Sequence, residues 1–216
     1  PVGAYVTLEH EHILLLRKND KRDFKTKEEK LRRSQSAFFW EERNVWFSDK
    51  WNGIRGVLQK LNGGKLRERS AAYPLELVYR LINMFSLQKD VVLDPFLGTG
   101  TTTLAAMISG RNSIGVEIDK NFDGFIKTRI NKVIPIVEEM NLERLRNHLR
   151  FVLQHKKEFR YNSSFYGFEI KTRQEKDIRF YQVKKINPIE DNLFEVLHEV
   201  TTINLEEERK LIEDEL

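Results

Sequence analysis

The chain has 216 residues, a formal net charge of +4 and no cysteine. Its length suits one α/β core with an insertion, and its 40% hydrophobic residues are enough to fill such a core. The lack of cysteine excludes a disulfide framework, a thiolate zinc site and a cysteine nucleophile, and it makes a reducing cytoplasm the expected compartment. No apolar run approaches the ~20 residues of a bilayer span, so we predict a soluble protein without a membrane partner.

The first predicted element is a buried strand over residues 12–16, where one histidine is followed by four aliphatic side chains. A core strand this close to Pro1 suggests that its partner strands lie upstream and are missing from this sequence. We therefore expect the chain to be the later part of a longer protein.

Positive charge is concentrated in residues 17–69, which contain sixteen basic and eight acidic side chains, a local balance of +8. Within this range, residues 18–35 have few apolar side chains and are predicted to be a mobile surface segment. Residues 203–216 have a balance of −4, and we expect them to form a solvated amphipathic helix.

Residues 38–56 contain all three tryptophans, interleaved with arginine and lysine. One interpretation is a DNA-binding surface, because charge contributes affinity for phosphates while planar rings contribute contact area. The other is a small satellite core whose charges face water. Under the first interpretation, the candidate DNA contacts are Arg43, Trp46, Lys50, Trp51 and Arg55.

A βαβ unit is predicted in the middle of the chain. A helix from Pro74 to about Ser86 precedes residues 91–94, whose β-branched run is typical of a parallel strand buried on both faces. A glycine-containing turn, a helix over residues 101–109 with Gly110 at its C-cap, and a second strand over residues 113–119 follow.

The remaining elements are less sharply defined. The spacing of apolar residues over 122–140 predicts one or two helices, broken near Pro135. Residues 142–182 have no clear periodicity. A terminal helical region is predicted from Asn187 and Pro188 onward, with Leu193, Phe194 and Leu197 as its buried face.

The βαβ unit also contains the candidate ligand-binding residues. Gly98 and Gly100 let the backbone turn sharply and approach a ligand, and the helix that follows presents free N–H groups to a carboxylate or phosphate. Glu117 lies 23 positions after Asp94, close to the ~20-residue interval at which such folds place a carboxylate on ribose hydroxyls. These features together predict a site for an adenosine-containing ligand.

The alternative is that this βαβ unit is a purely structural crossover, in which the glycines serve only to form the turn. Other nucleotide sites fit the sequence poorly. There is no Gly-Lys-Ser/Thr for a triphosphate loop, and residues 98–103 lack the third glycine of the dinucleotide fingerprint. The expected ligand therefore has no pyrophosphate.

The sequence Asp-Pro-Phe-Leu-Gly-Thr-Gly-Thr-Thr at residues 94–102 resembles the S-adenosylmethionine loop of DNA amino-methyltransferases. Gly-Val-Glu-Ile-Asp at residues 115–119 resembles their ribose-binding strand. Residues 69–74 and the helix after them are similar to the segment before this loop in the β-type motif order, although Ser-Ala-Ala at 70–72 replaces the more usual His-Pro-Ala. Residues 7–15 resemble the strand before the target-recognition region.

The resemblance implies a Rossmann-like α/β methyltransferase fold with a mostly parallel sheet and S-adenosylmethionine as cofactor. Residues 1–16 and 70–216 would form the methyltransferase domain, and residues 17–69 an inserted target-recognition, DNA-binding region. Asp94 would bound the methionyl pocket, Glu117 would hold the ribose and Ile118 would cover the adenine. The full set of implied cofactor-binding residues is Ser70, Asp94, Phe96, Gly98, Thr99, Gly100, Thr101, Thr102, Glu117 and Ile118.

The catalytic tetrapeptide of that family, Asp/Asn/Ser-Pro-Pro-Tyr/Phe, requires adjacent prolines. The five prolines of this chain, at positions 1, 74, 95, 135 and 188, are never adjacent. We therefore predict no catalytic residue here and expect the chain alone to be inactive. The motif would come from a missing N-terminal segment or from a partner chain.

The resulting prediction is a DNA methyltransferase that acts on the N4 of cytosine or the N6 of adenine in duplex DNA, as the modification part of a restriction-modification system. The target base would be flipped out of the helix to reach the methyl donor. Two alternatives stay open. One is a non-catalytic, cofactor- and DNA-binding subunit of a split methyltransferase, and the other is a methyltransferase that acts on RNA or protein.

Overall fold

The structure is a computed structural model that describes residues 11–54, 73–155 and 159–215. The helices in these ranges are α1 (Lys27–Gln35), α2 (Trp40–Trp46), α3 (Leu75–Phe85), α4 (Thr101–Ile108), α5 (Phe122–Asn131), α6 (Val133–Gln154) and α7 (Leu205–Glu215). The strands are β1 (Val91–Asp94), β2 (Asn112–Gly115), β3 (Tyr161–Asn162), β4 (Glu169–Ile170), β5 (Tyr181–Glu190) and β6 (Leu193–Val200). Across the described ranges, no helix combines the length and apolarity needed to cross a bilayer.

The predicted βαβ unit is present as β1, α4 and β2. The two strands pair in parallel, from Val91 opposite Asn112 to Asp94 opposite Gly115. Helix α4 ends at Ile108 with Ser109 as its C-cap, and the predicted capping glycine, Gly110, follows with a φ of +70°. The N–H of Gly110 bonds to the Met107 carbonyl and that of Arg111 to the Ala106 carbonyl, which is a Schellman C-cap. The second strand ends at Gly115, four residues earlier than expected.

One face of this parallel sheet is bare. The exposed fractions of Val91, Leu93 and Ile114 are 61%, 64% and 57%, whereas Val92, which points to the other side, packs against the core. The prediction of a strand buried on both faces is therefore wrong for the described residues. Parallel sheets normally have both faces covered, whereas this face is largely exposed in the part of the chain that the structure describes.

Two hydrophobic clusters lie on the covered side, and α6 runs past both. Val133 and Val137 near the start of α6 belong to the first cluster, which includes side chains of α3, α4 and β5. Leu145 and Leu149 in its second half belong to the other cluster, which includes Phe168, Phe180 and Ile212. Helix α6 thus joins the βαβ unit to the C-terminal elements.

An ion pair inside this core fixes α2 against α6. Arg144 donates from Nε and Nη2 to the two carboxylate oxygens of Glu42, over 2.5 and 2.7 Å, and from Nη1 to the Tyr79 hydroxyl over 2.8 Å. Burial by itself lowers the pKa of the Arg144 guanidinium, but Glu42 and Tyr79 outweigh it and raise the pKa above its usual range. The charge of Arg144 is therefore fully compensated by α2.

The N-terminal predictions need two corrections. Residues 12–16 form no strand, and Leu14 and Leu16 are more than 80% exposed, because no described strand pairs with them. Residues 27–35 are a helix and not a mobile segment. A capping box starts this helix, in which Glu29 N bonds to Thr26 Oγ1 and Thr26 N to Glu29 Oε2.

Two further differences lie in the second half of the chain. The predicted helix break falls at Lys132, and Pro135 lies in the first turn of α6, where its missing N–H costs little. The terminal region from Asn187 and Pro188 is the β5–β6 hairpin and not a helix. Of the three residues of the proposed buried face, Leu193 and Leu197 are exposed on β6, whereas Phe194 packs against the first cluster. The acidic C-terminal helix is confirmed as α7.

Candidate functional site

The candidate site begins where β1 ends. Asp94 Oδ1 accepts a hydrogen bond from the N–H of Phe96 over 3.0 Å, which forms an Asx turn. The Asp94 carbonyl accepts from Val116 N over 2.9 Å, and Leu97 N donates to the Val116 carbonyl over 2.8 Å. The first half of the turn is therefore held against the segment that follows β2.

Two glycines complete the turn. Gly98 and Gly100 have φ values of +52° and +80°, a left-handed conformation that other residues adopt only at a cost. Gly100 is the N-cap of α4. The N–H groups of residues 101–103 that follow it have no partner within the helix, as at any helix start. The turn thus presents backbone donors at the positive end of the α4 dipole.

Glu117 connects the two halves of the site. Its Oε2 accepts from Gly98 N over 2.7 Å, and its Oε1 accepts from Asp119 N over 2.8 Å. A carboxylate offers about four lone-pair positions, so two remain for other donors. Glu117 therefore fixes the turn and keeps capacity for a ligand hydroxyl.

Two apolar side chains stand fully in solvent beside these groups. The exposed fraction is 87% for Phe96 and 96% for Ile118. They lie just beyond β1 and β2, at the carboxyl edge of the parallel pair, where open α/β sheets bind ligands. Exposed apolar side chains next to free polar groups are typical of a binding site.

Arg129 of α5 is a part of the site that sequence reasoning missed. Its Nη1 donates to the Thr99 carbonyl over 2.7 Å and to the hydroxyls of Thr99 and Thr101 over 3.1 Å each. Burial lowers the pKa of this guanidinium. No motif identifies Arg129, because it reaches the turn only through the packing of α5.

The predicted cofactor-binding residues differ in burial. Thr99 and Thr101 are buried, and their side chains face Arg129. Thr102 is half-buried in the first turn of α4. Ser70 lies outside the described residues. Nine of the ten implied residues lie in the described turn, in the first turn of α4 or in the segment after β2: Asp94, Phe96, Gly98, Thr99, Gly100, Thr101, Thr102, Glu117 and Ile118.

The candidate DNA contacts differ in their exposure. Trp46 is only 7% exposed and packs edge-on against Tyr79, so it belongs to the core, as the satellite-core interpretation expects. Trp51 is half-buried, and its Nε1 donates to the Trp46 carbonyl over 3.0 Å. Arg43 and Lys50 are exposed, whereas Arg55 lies outside the described residues.

The sequence matches a known protein family. The family model of the N6/N4 methyltransferases, described as DNA methylase, matches residues 1–127. That is more than half of the 216 residues, and it includes β1, α4 and β2. The chain therefore belongs to the N6/N4 DNA methylase family.

Individual relatives extend the match. The chain is 50% identical over 211 residues to the type II methyltransferase M.MthZI of Methanothermobacter thermautotrophicus, which covers 98% of this chain and 59% of M.MthZI. It is 48% identical over 130 residues to the type II methyltransferase M.MjaI of Methanocaldococcus jannaschii, which covers 60% of this chain and 41% of M.MjaI. The chain thus spans 41–59% of the length of these two relatives.

A solved structure shares the fold. That structure is of a DNA modification methylase from Thermus thermophilus, crystallised with S-adenosyl-L-methionine. The match has a TM-score of 0.50 and 36% identity, and it covers 62% of this chain and 49% of the other. This likeness confirms the predicted Rossmann-like methyltransferase fold.

Proposed function

We propose that this chain is the cofactor-binding part of a DNA methyltransferase that transfers a methyl group from S-adenosylmethionine to the N4 of cytosine or the N6 of adenine in duplex DNA. A modification role in a restriction-modification system fits the type II relatives. The observation that carries the proposal is the turn between β1 and α4, with Glu117 bonded to Gly98 N at its centre.

The residues present fit an adenosyl ligand with an amino-acid tail. Glu117 would accept the ribose hydroxyls with its remaining lone pairs. Ile118 and Phe96 would cover the adenine, because both are apolar and almost fully exposed. The N–H groups at the start of α4 would bind the methionyl carboxylate. Once bound, the cofactor supplies an electrophilic sulfonium methyl group.

The chemistry of the target base requires groups from elsewhere. An exocyclic amino nitrogen is a poor nucleophile, since its lone pair is conjugated into the ring, and positioned acceptors must therefore prepare it for attack. The sequence has no adjacent prolines for the catalytic tetrapeptide of the family. In this proposal the chain binds the cofactor but transfers no methyl group by itself. A further segment or a partner chain completes the active site.

Two features support the proposal that a further segment or a partner chain completes the active site. Leu93 and Ile114 on one face of the β1–β2 sheet are more than half exposed among the described residues, and the chain spans 59% of the length of M.MthZI. The same features suit the second candidate function, a subunit of a split methyltransferase that binds cofactor and DNA only. Adding the upstream segment and assaying tritiated methyl transfer to DNA would separate the two, because only the first candidate regains activity.

Titration calorimetry of S-adenosylmethionine tests the cofactor site. The parent chain is expected to bind it, and Glu117→Gln is expected to weaken binding by about tenfold or more, since a charged hydrogen bond is replaced by a poorer one. Glu138→Gln, an exposed change on α6, serves as the matched control and should bind like the parent. A parent that shows no binding, or equal affinities for the parent and Glu117→Gln, would contradict the assignment.

A further inference from the structure

The guanidinium of Arg129 lies against the inner side of the candidate cofactor turn. One nitrogen, Nη1, donates to three acceptors at Thr99 and Thr101 at distances of 2.7–3.1 Å. The side chain is half-buried. Arg129 therefore contacts the turn through Thr99 and Thr101, with its side chain partly shielded from water.

The charge of Arg129 is not neutralised by any carboxylate of the described residues. Within the part of the chain that the structure describes, no carboxylate lies within 4.0 Å of its guanidinium. Arg144, in contrast, is paired with both oxygens of Glu42. A partly buried cation without a counter-ion is costly, and it makes the nearby turn a favourable place for an anion.

The hydrogen bonds from Arg129 also decide which groups remain for a ligand. The hydroxyls of Thr99 and Thr101 accept from Arg129 and lie 3.3 Å from each other. Both side chains are therefore engaged on the inner side. Recognition of an anion at the outer side would depend on backbone N–H groups, whose orientation follows the turn, and on the positive charge behind them.

We propose that Arg129 is the positioning residue for the carboxylate of the cofactor, and that its charge acts through the turn formed by Thr99 and Thr101. This inference rests on the proposed function, and it goes further by assigning recognition of the amino-acid end of the ligand to a residue that does not contact it. The residue would thus distinguish ligands with a carboxylate from those without one.

The test compares two substitutions with two ligands. Arg129→Gln keeps a donor for the Thr99 carbonyl but removes the charge, whereas Arg129→Lys keeps both. The ligands are S-adenosylmethionine and decarboxylated S-adenosylmethionine, which differ only in the carboxylate. Affinities are measured by NMR titration, which reaches millimolar dissociation constants, and the melting temperature of each variant is recorded to establish that it is folded.

We expect Arg129→Gln to weaken S-adenosylmethionine binding by about tenfold and to change the affinity for the decarboxylated ligand by less than about threefold. Arg129→Lys should stay within about threefold of the parent for both ligands. Lys210→Met, an exposed change on α7, controls for net charge and should leave both affinities unchanged.

Three outcomes would overturn the proposal. Equal losses for both ligands in Arg129→Gln would mean that Arg129 only maintains the shape of the turn. A loss in Arg129→Lys as large as in Arg129→Gln would mean that the charge is not the cause. Unchanged affinities in Arg129→Gln would remove the residue from recognition. Failure of the proposed function is distinguishable, because the parent itself would then not bind S-adenosylmethionine.

Discussion

Leu97 occupies the space next to Gly115, although the two residues lie on opposite sides of α4 in the sequence. A Cβ added at Gly115 would stand 2.5 Å from Cδ2 and 2.7 Å from Cδ1 of Leu97, closer than carbon atoms pack. The backbone of Leu97 is also bonded to the Val116 carbonyl. The position of the candidate cofactor turn thus depends on the lack of a side chain at Gly115.

Gly115→Ala is expected to lower the free energy of unfolding by about 1 kcal/mol, because Leu97 must rotate out of its position. Urea unfolding measures this change. Gly124→Ala in α5 is the matched control. Nothing lies within 4 Å of its added Cβ, and the change should stabilise the helix by about 0.5–1 kcal/mol. A Gly115→Ala variant as stable as the parent would contradict the described packing.

Some residues of the candidate site follow from the sequence alone, and others depend on packing. The sharp turn at Gly98 and Gly100 was predictable from the residue types, whereas the ribose contact of Glu117 stays a prediction from its spacing to Asp94. Arg129 is not predictable, since its contacts with Thr99 depend on where α5 packs. Trp46 shows the opposite error, because an aromatic side chain among charges has the same pattern in a core as on a surface.

Among the elements, Asp90 connects the N-terminal segment to the loop between α3 and β1. Its Oδ2 accepts from Arg22 over 2.6 Å and from Leu87 N over 2.9 Å, and Arg32 lies 3.9 Å from Oδ1. Burial by itself raises the pKa of Asp90, but these partners outweigh it and hold the pKa below its usual value. The carboxylate therefore stabilises the fold above the pKa of an unfolded aspartate and loses this effect as the pH falls.

Asp90→Asn should accordingly flatten the acid dependence of stability. At pH 7 the variant is expected to melt at a lower temperature than the parent. The difference should shrink as the pH drops below about 4, the value at which an unfolded aspartate is protonated. Thermal melts at pH 7 and at acid pH measure both quantities. Asp214→Asn, an exposed change on α7, is the control. A pH-independent difference would rule out the role assigned to Asp90.

Elements whose signals are local in the sequence were predicted correctly, and those that depend on contacts with distant residues were not. The βαβ unit was predictable because its strands, glycines and helix cap are each encoded locally. Helix α1 was missed because it has no buried side chain, and its position depends on a capping box and on the contact of Ser34 with Asp177. The β5–β6 hairpin was read as a helix because Leu193, Phe194 and Leu197 match a helical spacing. The half-burial of Phe194, Val196 and His198 on one face shows that the period is two.

For the whole molecule, the bare face of the β1–β2 sheet is the most consequential feature. Leu93 and Ile114 are direct neighbours across the strands, and both are more than half exposed. A contiguous apolar patch of this kind binds hydrophobic dyes and promotes association. In the proposed function, this patch is the surface that the missing half covers.

The double variant Leu93→Thr with Ile114→Thr should bind less of the dye ANS than the parent, as measured by fluorescence. Its free energy of unfolding should stay within about 0.5 kcal/mol of the parent, because exposed side chains contribute little. Val92→Thr is the matched control. This residue packs on the core side, so its substitution should destabilise the chain by about 1–3 kcal/mol. Equal dye binding by parent and double variant would show that the face is already covered.

The placement of DNA on the molecule is a separate prediction of the proposed function. Arg43→Ala and Lys50→Ala should each weaken binding to duplex DNA and reduce the slope of log affinity against log salt by about 1, as expected for one lost phosphate contact. Fluorescence anisotropy over a range of KCl concentrations measures the slope. Lys210→Ala on the acidic α7 is the control. Slopes equal to that of the parent would remove Arg43 and Lys50 from the interface, and tighter binding of RNA in competition would favour an RNA substrate.

The central claim is the position of the adenosyl ligand between Glu117 and the start of α4. A crystal structure of the chain with S-adenosylmethionine tests it most directly. The predicted result is a ribose hydroxyl about 2.7 Å from a Glu117 carboxylate oxygen, the adenine against Ile118, and the carboxylate of the ligand at the first turn of α4. A ligand bound elsewhere, or a turn that stays empty while the ligand saturates the protein in solution, would contradict the account.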